Sequence, residues 1–274
     1  MIARIVNMTH RRRSSAMSKL VRALAEGDTP SDGRSGGSPE EGPNVDWDMI
    51  AEWWIAEVTG DRSYAETVLP MLLDLLGEPQ GTIVDLGCGE GATMTSVFGD
   101  DRTVVGSDLS QALLRVASAR APVVRAALPE AAWLRDGAVD HAYSVYVLEL
   151  LEDADSFLRE AARIVRPGGT LSVVINHPAF TAPGSGPFID QDGEYLWRWG
   201  DYFVAGTSQT RAGGAPLTMY HRPVGELLTA AARCGWELQQ MAEAGLGPAM
   251  VSAHPGYRGQ EGIPRFLGLR WRRR

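Results

Sequence analysis

An apolar run, Thr82-Ile83-Val84-Asp85-Leu86, ends on an acid and is followed by glycine at alternate positions, Gly87, Gly89 and Gly91. The run reads as a buried strand over 82–86. The glycines read as a tight turn whose backbone a ligand can approach, there being no Cβ in the way. Residues 92–98 then begin a helix whose first N–H groups point back at the turn.

The same strand–turn–helix rhythm repeats downstream. The pattern predicts strands at 103–107, 122–126, 139–146 and 170–176, and helices at 111–119 and 154–165. Ser110 and Asp153 stand where N-caps belong. Pro167-Gly168-Gly169 stops the second of these helices. Strands that alternate with helices imply a parallel sheet covered on both faces. Ahead of the repeat, Asp46 is placed to cap a helix over 47–58, with Trp47, Ile50, Trp53 and Trp54 on one face. That aromatic face either packs on the domain or lies over a ligand pocket. A second helix carries a Ser63/Glu66 capping-box spacing, an apolar stripe of Val68, Leu72, Leu75 and Leu76, and Gly77 as its C′ residue.

The rhythm breaks at 177–222, a long segment rich in Gly, Pro and aromatics. So long an irregular insert is either a lid or disordered, and its aromatic content argues against disorder. Tyr195, Trp197, Trp199, Tyr202 and Phe203 are candidate walls for a flat or apolar substrate, or the packing of the insert itself. Pro223 then opens a helix at its N1 position, Gly235 closes it, and strands are expected at 236–242 and 263–270. The basic end, Arg270, Arg272, Arg273 and Arg274, reads as a solvated terminus.

Composition narrows this little. At 44% hydrophobic and 22% charged the chain is ordinary for a globular protein. The net charge of −8 argues against nucleic acid as partner. No apolar run reaches the roughly 18 residues of a membrane span. Cys88 and Cys234 have no metal-ligand spacing, so neither a metal nor a disulfide is expected, and a cytoplasmic setting fits. Residues 1–44 start basic, with Arg11, Arg12 and Arg13, and continue Gly-, Ser- and Pro-rich; they read as a disordered tail, or as a start codon placed too early, rather than a transit peptide. The expected organisation is a tail at 1–44 and one domain at 45–274 that includes a substrate lid at 177–222.

A glycine turn after the first strand serves more than one nucleotide. A dinucleotide site wants G-x-G-x-x-G with an acid about 20 residues on. Here the third glycine comes one residue early, and an acid, Asp85, also precedes the glycines. Asp108 closes the second strand and suits the ribose hydroxyls of any adenosine ligand. An NAD-dependent oxidoreductase therefore stays open on the turn alone.

The wider pattern resembles one family. Asp85-Leu86-Gly87-Cys88-Gly89-Glu90-Gly91 looks like the first motif of class I S-adenosylmethionine-dependent methyltransferases. Val105-Gly106-Ser107-Asp108 resembles the acidic second motif, and the stretch from Gly137 through Asp140, Ser144 and Tyr146 to Asp153 the fourth-strand motif. Leu158 to Gly169 resembles the helix and turn before the fifth strand, and Ile263-Pro264 onward the closing strand. Likeness is strongest to the small-molecule branch that includes the quinone-biosynthesis type.

The resemblance implies a Rossmann-like, seven-stranded, mostly parallel sheet with helices on both faces, N-terminal helices and a lid insertion after the fifth strand. It implies methyl transfer from S-adenosyl-L-methionine to a small-molecule acceptor, aromatic or apolar if the lid aromatics face it, with RNA or protein methylation as the alternative. It implies that Gly87, Gly89 and Gly91 approach the cofactor's amino-acid part. Asp85 would orient that loop and the ammonium, Asp108 would hold the ribose diol, Leu109 would lie on the adenine, and Ser144 and Tyr146 would stand near the methionine end. The family's usual acid after the third strand is missing; Ala126-Ala127-Leu128 stands there.

An oxygen nucleophile needs a base. The chain has five histidines. His10 lies in the tail, His141 inside a strand and His254 in a loop. His177, directly after the fifth strand, and His221, at the exit of the insert, are the base candidates, each with a structural role as its alternative. Tyr146 and Glu149 are weaker candidates; relatives often carry a histidine where Glu149 stands.

Overall fold

The computed structural model describes residues 45–97 and 102–274. The tail expected at 1–44, with His10, and the Phe98 end of the first predicted repeat helix lie outside these residues.

The expected sheet is present. β1 (Gly81–Leu86), β2 (Arg102–Asp108), β3 (Val123–Arg125), β4 (Val139–Val145), β5 (Val165–Asn176), β10 (Trp236–Ala244) and β11 (Phe266–Arg273) form one seven-stranded sheet in the order β10-β11-β5-β4-β1-β2-β3. β11 alone runs antiparallel to its neighbours. The order reverses between β1 and β4, and in such sheets the crevice at the strands' carboxyl ends is where ligands bind.

Each face of the sheet is closed by helices whose apolar residues recur at helical spacing. α5 (Ala154–Ile164) buries Phe157, Leu158, Ala161 and Ile164, and with α7 (Val224–Arg233) covers β4, β5 and β11. Trp236 Nε1 donates to Leu158 O at 2.9 Å and ties this layer together. α2 (Leu69–Leu76), α3 (Ala92–Val97) and α4 (Gln111–Ala117) bury Leu72, Leu75, Met94 and Leu114 on the other face. Ser110 and Asp153 cap α4 and α5 as expected, accepting from Leu113 N and Ser156 N.

Several boundaries differ from the sequence pattern. Residues 47–50 form a turn, with Asp46 accepting from Asp48 N, and α1 (Ala51–Gly60) begins only at Ala51. The Ser63/Glu66 capping box does not form. Asp61 Oδ1 accepts from Ser63 N instead, and a π-turn at Tyr64–Val68 leads into α2. β5 starts at Val165, so Pro167-Gly168-Gly169 lies within it; a Cβ at Gly169 would strike Val165 Cγ1 at 2.6 Å. Pro223 is the residue before α7, not its first. The basic end is strand rather than loose terminus: Trp271 is buried, and Arg273 donates to Val165 O.

The insert is ordered. It contains α6 (Pro178–Thr181), a hairpin of β6 (Gly186–Ile189) with β7 (Tyr195–Arg198), and a hairpin of β8 (Gly206–Ala212) with β9 (Ala215–His221). The second hairpin packs on the N-terminal segment through Val45, Ile50, Trp53 and Ala212.

Candidate active site

The turn after β1 is pinned to β2 along its length. Gly87 N and Cys88 N both donate to Ser107 O, at 2.8 and 2.9 Å. Gly89 N donates to Asp108 Oδ2 at 2.9 Å, and Ser110 N to Asp108 Oδ1 at 2.9 Å. Gly87 and Gly89 have φ of +85° and +54°, which L side chains rarely adopt. Each Asp108 oxygen keeps a lone pair beyond the backbone bond it accepts, and burial pushes the carboxyl up from its ordinary range.

A cavity of 360 Å³ opens over this turn, lined by Gly87, Gly89, Asp108, Leu109, Tyr146 and Trp54 among others. Ala126 and Leu128 complete its wall where the family's third-strand acid would stand. The loop bearing them is braced by Arg163, which donates to Ala131 O and Leu134 O and pairs with Asp136 and Glu160. A narrow extension of the space reaches Asp85, Glu90 and Thr93. Asp85 is buried, accepts from Thr93 Oγ1 at 2.8 Å, and is pushed up to about 7 by that burial. Glu90 takes the Trp54 indole N–H at 3.0 Å, anchoring α1 to the turn.

Beside it lies a smaller cavity of 100 Å³, mostly apolar, lined by Val58, Tyr146, Leu217, Met219 and Phe266 and by a few buried polar groups. Trp47, Trp54, Tyr146, Leu150 and Leu217 line both spaces. Tyr146 stands between them with φ of +59°, the only non-glycine at positive φ among the described residues. Such strain clusters at functional positions. Its N–H is held by Val174 O at 2.9 Å.

The structure therefore brings Asp85, Gly87, Gly89, Asp108, Leu109 and Tyr146 to one cleft. It does not bring the rest. Ser144 is buried under the turn and donates to Leu86 O at 2.6 Å, joining β4 to β1. Gly91 lines neither cavity; a Cβ there would meet Met94 Cε at 2.9 Å, so its glycine serves the packing of α3. His177 caps α6, with Nδ1 accepting from Ala179 N at 3.0 Å and Nε2 meeting Glu243 Oε1 at 2.8 Å. His221 faces Tyr202 O at 2.8 Å and Thr181 Oγ1 at 3.4 Å. Both histidines are buried, line neither cavity, and have both ring nitrogens engaged. Burial lowers the pKa of each. Their geometry is that of props for α6, not of bases facing a substrate.

The insert's aromatics also miss the cleft. Trp197 stacks on Phe180 at 5.5 Å, and the exposed Trp199 and Phe203 each meet Tyr202 in a T-shaped contact. The second hairpin supplies Thr210, Leu217 and Met219 instead. Sequence reasoning missed Glu57, Asp61 and Arg265, which line the smaller cavity. The helical spacing held a signal: Glu57 and Asp61 follow Trp54 by one and two turns, charged residues on an aromatic, buried stripe.

A doubly wound sheet with a glycine turn facing a carboxylate at the switch point defines a Rossmann-like, nucleotide-binding α/β protein. Comparison narrows the class. Residues 84–173 match the family model described as a methyltransferase domain. A ubiquinone biosynthesis O-methyltransferase from Escherichia fergusonii is 29% identical over 146 residues, 46% of this chain and 60% of the relative. A trans-aconitate 2-methyltransferase from Methylobacterium radiotolerans is 38% identical over 93 residues, 33% of this chain and 36% of the relative. The matched stretches thus span 60% and 36% of these two relatives' lengths. The crystal structure of an S-adenosylmethionine-dependent methyltransferase from Mesorhizobium loti is 29% identical, with a TM-score of 0.63 over 74% of this chain and 96% of that one. The chain is thus similar to a methyltransferase domain over residues 84–173 and, over 74% of its length, to the fold of an S-adenosylmethionine-dependent methyltransferase.

Proposed function

We propose that the protein transfers the methyl group of S-adenosylmethionine to a small-molecule acceptor. The observation that carries this reading is the shared wall. The glycine-turn cavity and the apolar cavity meet at Tyr146 and Trp54, so a ligand in one abuts a ligand in the other. The residues present fit the cofactor. The backbone at Gly87 and Gly89 is open to the larger cavity, Asp108 has lone pairs for a ribose diol, and Leu109 offers an apolar face. Asp85, at the narrow end, suits an ammonium group, whose positive charge would hold the carboxylate ionised.

When bound, S-adenosylmethionine supplies a methyl group already activated by its sulfonium. The chain's contribution is to align the acceptor with that methyl and to keep water out. Trp47 and Trp54 roof both spaces, and Tyr146 sets the distance between them. The 100 Å³ apolar cavity favours a compact acceptor over an RNA or protein chain.

Titration calorimetry with S-adenosylhomocysteine is expected to show saturable binding, and NAD none. Asp108→Ala should weaken S-adenosylhomocysteine by about 1–3 kcal/mol, since it orphans the diol together with the Gly89 and Ser110 N–H groups. Unchanged affinity in the variant would remove Asp108 from the ribose site, and no heat with S-adenosylhomocysteine would remove the function.

A further inference from the structure

The smaller cavity holds polar chemistry that the protein itself does not satisfy. Glu149 is 4% exposed. Its Oε1 accepts from both Asn176 N and Asn176 Nδ2 at 3.0 Å, while its Oε2 has no partner. Glu57 Oε2 and Thr210 Oγ1, in the same walls, are also buried without partners. Arg265 is 7% exposed, and no carboxylate among the described residues lies within 4.0 Å of its guanidinium. It is fixed from behind: the guanidinium stacks on Phe180 at 3.2 Å, Phe180 stacks on Trp197, and α6, which carries Phe180, is propped by His177 and His221. A buried cation that feels Asp61 but makes no salt bridge to it, and buried acceptors without donors, each cost free energy in the empty protein. Their gathering in one apolar space next to the methyl-donor cleft points to a ligand that satisfies them.

We propose that this cavity is the acceptor pocket and that its acceptor is a compact hydroxylated carboxylate, its carboxylate bound by Arg265 and its hydroxyl presented to Glu149 Oε2, which takes the proton. The proposal rests on the methyl-transfer reading above. The acceptor's hydroxyl oxygen gives its proton to Glu149 and forms the new bond to the methyl carbon. The methyl–sulfur bond breaks with its electron pair staying on sulfur, and the proton later leaves Glu149 for solvent. Asn176 aims the carboxylate by holding one oxygen and leaving the other free. Glu149 is suited to the role because burial pushes it up to about 7, against the pull of the Asn176 hydrogen bonds and, more weakly, of Arg222. The charged and titratable groups around it are Asn176's neighbour Arg222, then Tyr146, Asp61, Glu57 and Arg265 across the cavity. At about 100 Å³ the cavity favours a compact acceptor.

The test uses the protein saturated with S-adenosylhomocysteine, titrated calorimetrically at pH 8 with 3-hydroxybenzoate, benzoate and phenol. 3-Hydroxybenzoate is expected to bind tightest of the three. Arg265→Met should weaken 3-hydroxybenzoate and benzoate by about tenfold or more and leave phenol within about twofold. Glu149→Gln should weaken 3-hydroxybenzoate and phenol by about tenfold and leave benzoate unchanged or improved. Arg265→Lys should restore part of the carboxylate affinity. S-adenosylhomocysteine is titrated first into every variant, which reports folding and isolates the two readings. Its failure to bind the wild type would overturn the methyl-transfer reading. Its normal binding, with no heat from any of the three probes at 10 mM (a concentration of about 100 times a typical 0.1 mM Kd) or with all three weakened alike in both variants, would overturn the acceptor assignment alone.

Discussion

Gly87→Val is expected to abolish S-adenosylhomocysteine binding and to lower the unfolding temperature by roughly 5–15 °C. Two costs coincide at this position. The backbone there has φ of +85°, where a β-branched residue is strained by about 1–3 kcal/mol. The added Cβ would also overlap the Val147 side chain, with Cγ1 at 3.3 Å and Cγ2 nearer still. Val147 lies in the wall of the larger cavity, so relief by moving it narrows the cleft. Relief by moving the turn breaks the bonds from Gly87 N and Cys88 N to Ser107 O. Overpacking of this sort costs about 1–3 kcal/mol. Calorimetry and thermal unfolding check both parts, and a variant that still binds S-adenosylhomocysteine within about threefold of wild type (under 1 kcal/mol) would show that the ligand does not approach the chain at this glycine.

The legibility of the chain follows from where its signals are local. The β1 turn announced itself because the acid, the strand and the three glycines are contiguous, and the positive φ at each glycine explains why no other residue stands there. Ser110 and Asp153 were readable for the same reason, since a cap acts across three residues. The histidines were not. His177 sits at the carboxyl edge of the sheet, where ligands bind, yet its Nδ1 is needed by Ala179 N and its Nε2 meets Glu243, 66 residues away. Nothing near His177 in sequence reveals Glu243. Arg265 was hidden in the same way: it becomes conspicuous only when Phe180 is found beneath it and no acid among the described residues is found within salt-bridge distance. Glu149 was half visible, an acid in a place where relatives carry histidine. What the sequence could not show was that Asn176, on the next strand, occupies one of its oxygens and leaves the other bare.

That bare oxygen gives the second large effect, and it is one of stability. In the free protein Glu149→Gln should become progressively more stable than wild type as the pH rises from about 4.5 to 7, by roughly 3 kcal/mol over the window. The sign follows from burial. The carboxyl's ordinary value of 4.5 is pushed up to about 7 in the folded chain, so folding favours its neutral form. Below the unfolded value the group is neutral in both states and costs nothing. Above it, the unfolded chain ionises freely while the folded chain does so only against desolvation, and wild-type stability falls until the folded group ionises too. Glutamine has no charge to desolvate, and its side-chain oxygen can still accept from Asn176. Asp85 and Glu57, also pushed up to about 7, shift stability in the same direction, but they titrate in both proteins and cancel in the difference. Urea unfolding of wild type and variant at pH 5 and pH 8 measures it. A difference that stays constant between the two pH values would place Glu149 in contact with water and undo the argument for a dry acceptor pocket. The expected growth would mean that the wild-type chain keeps, at a cost to its own stability, a carboxylate whose partner is supplied only by the ligand.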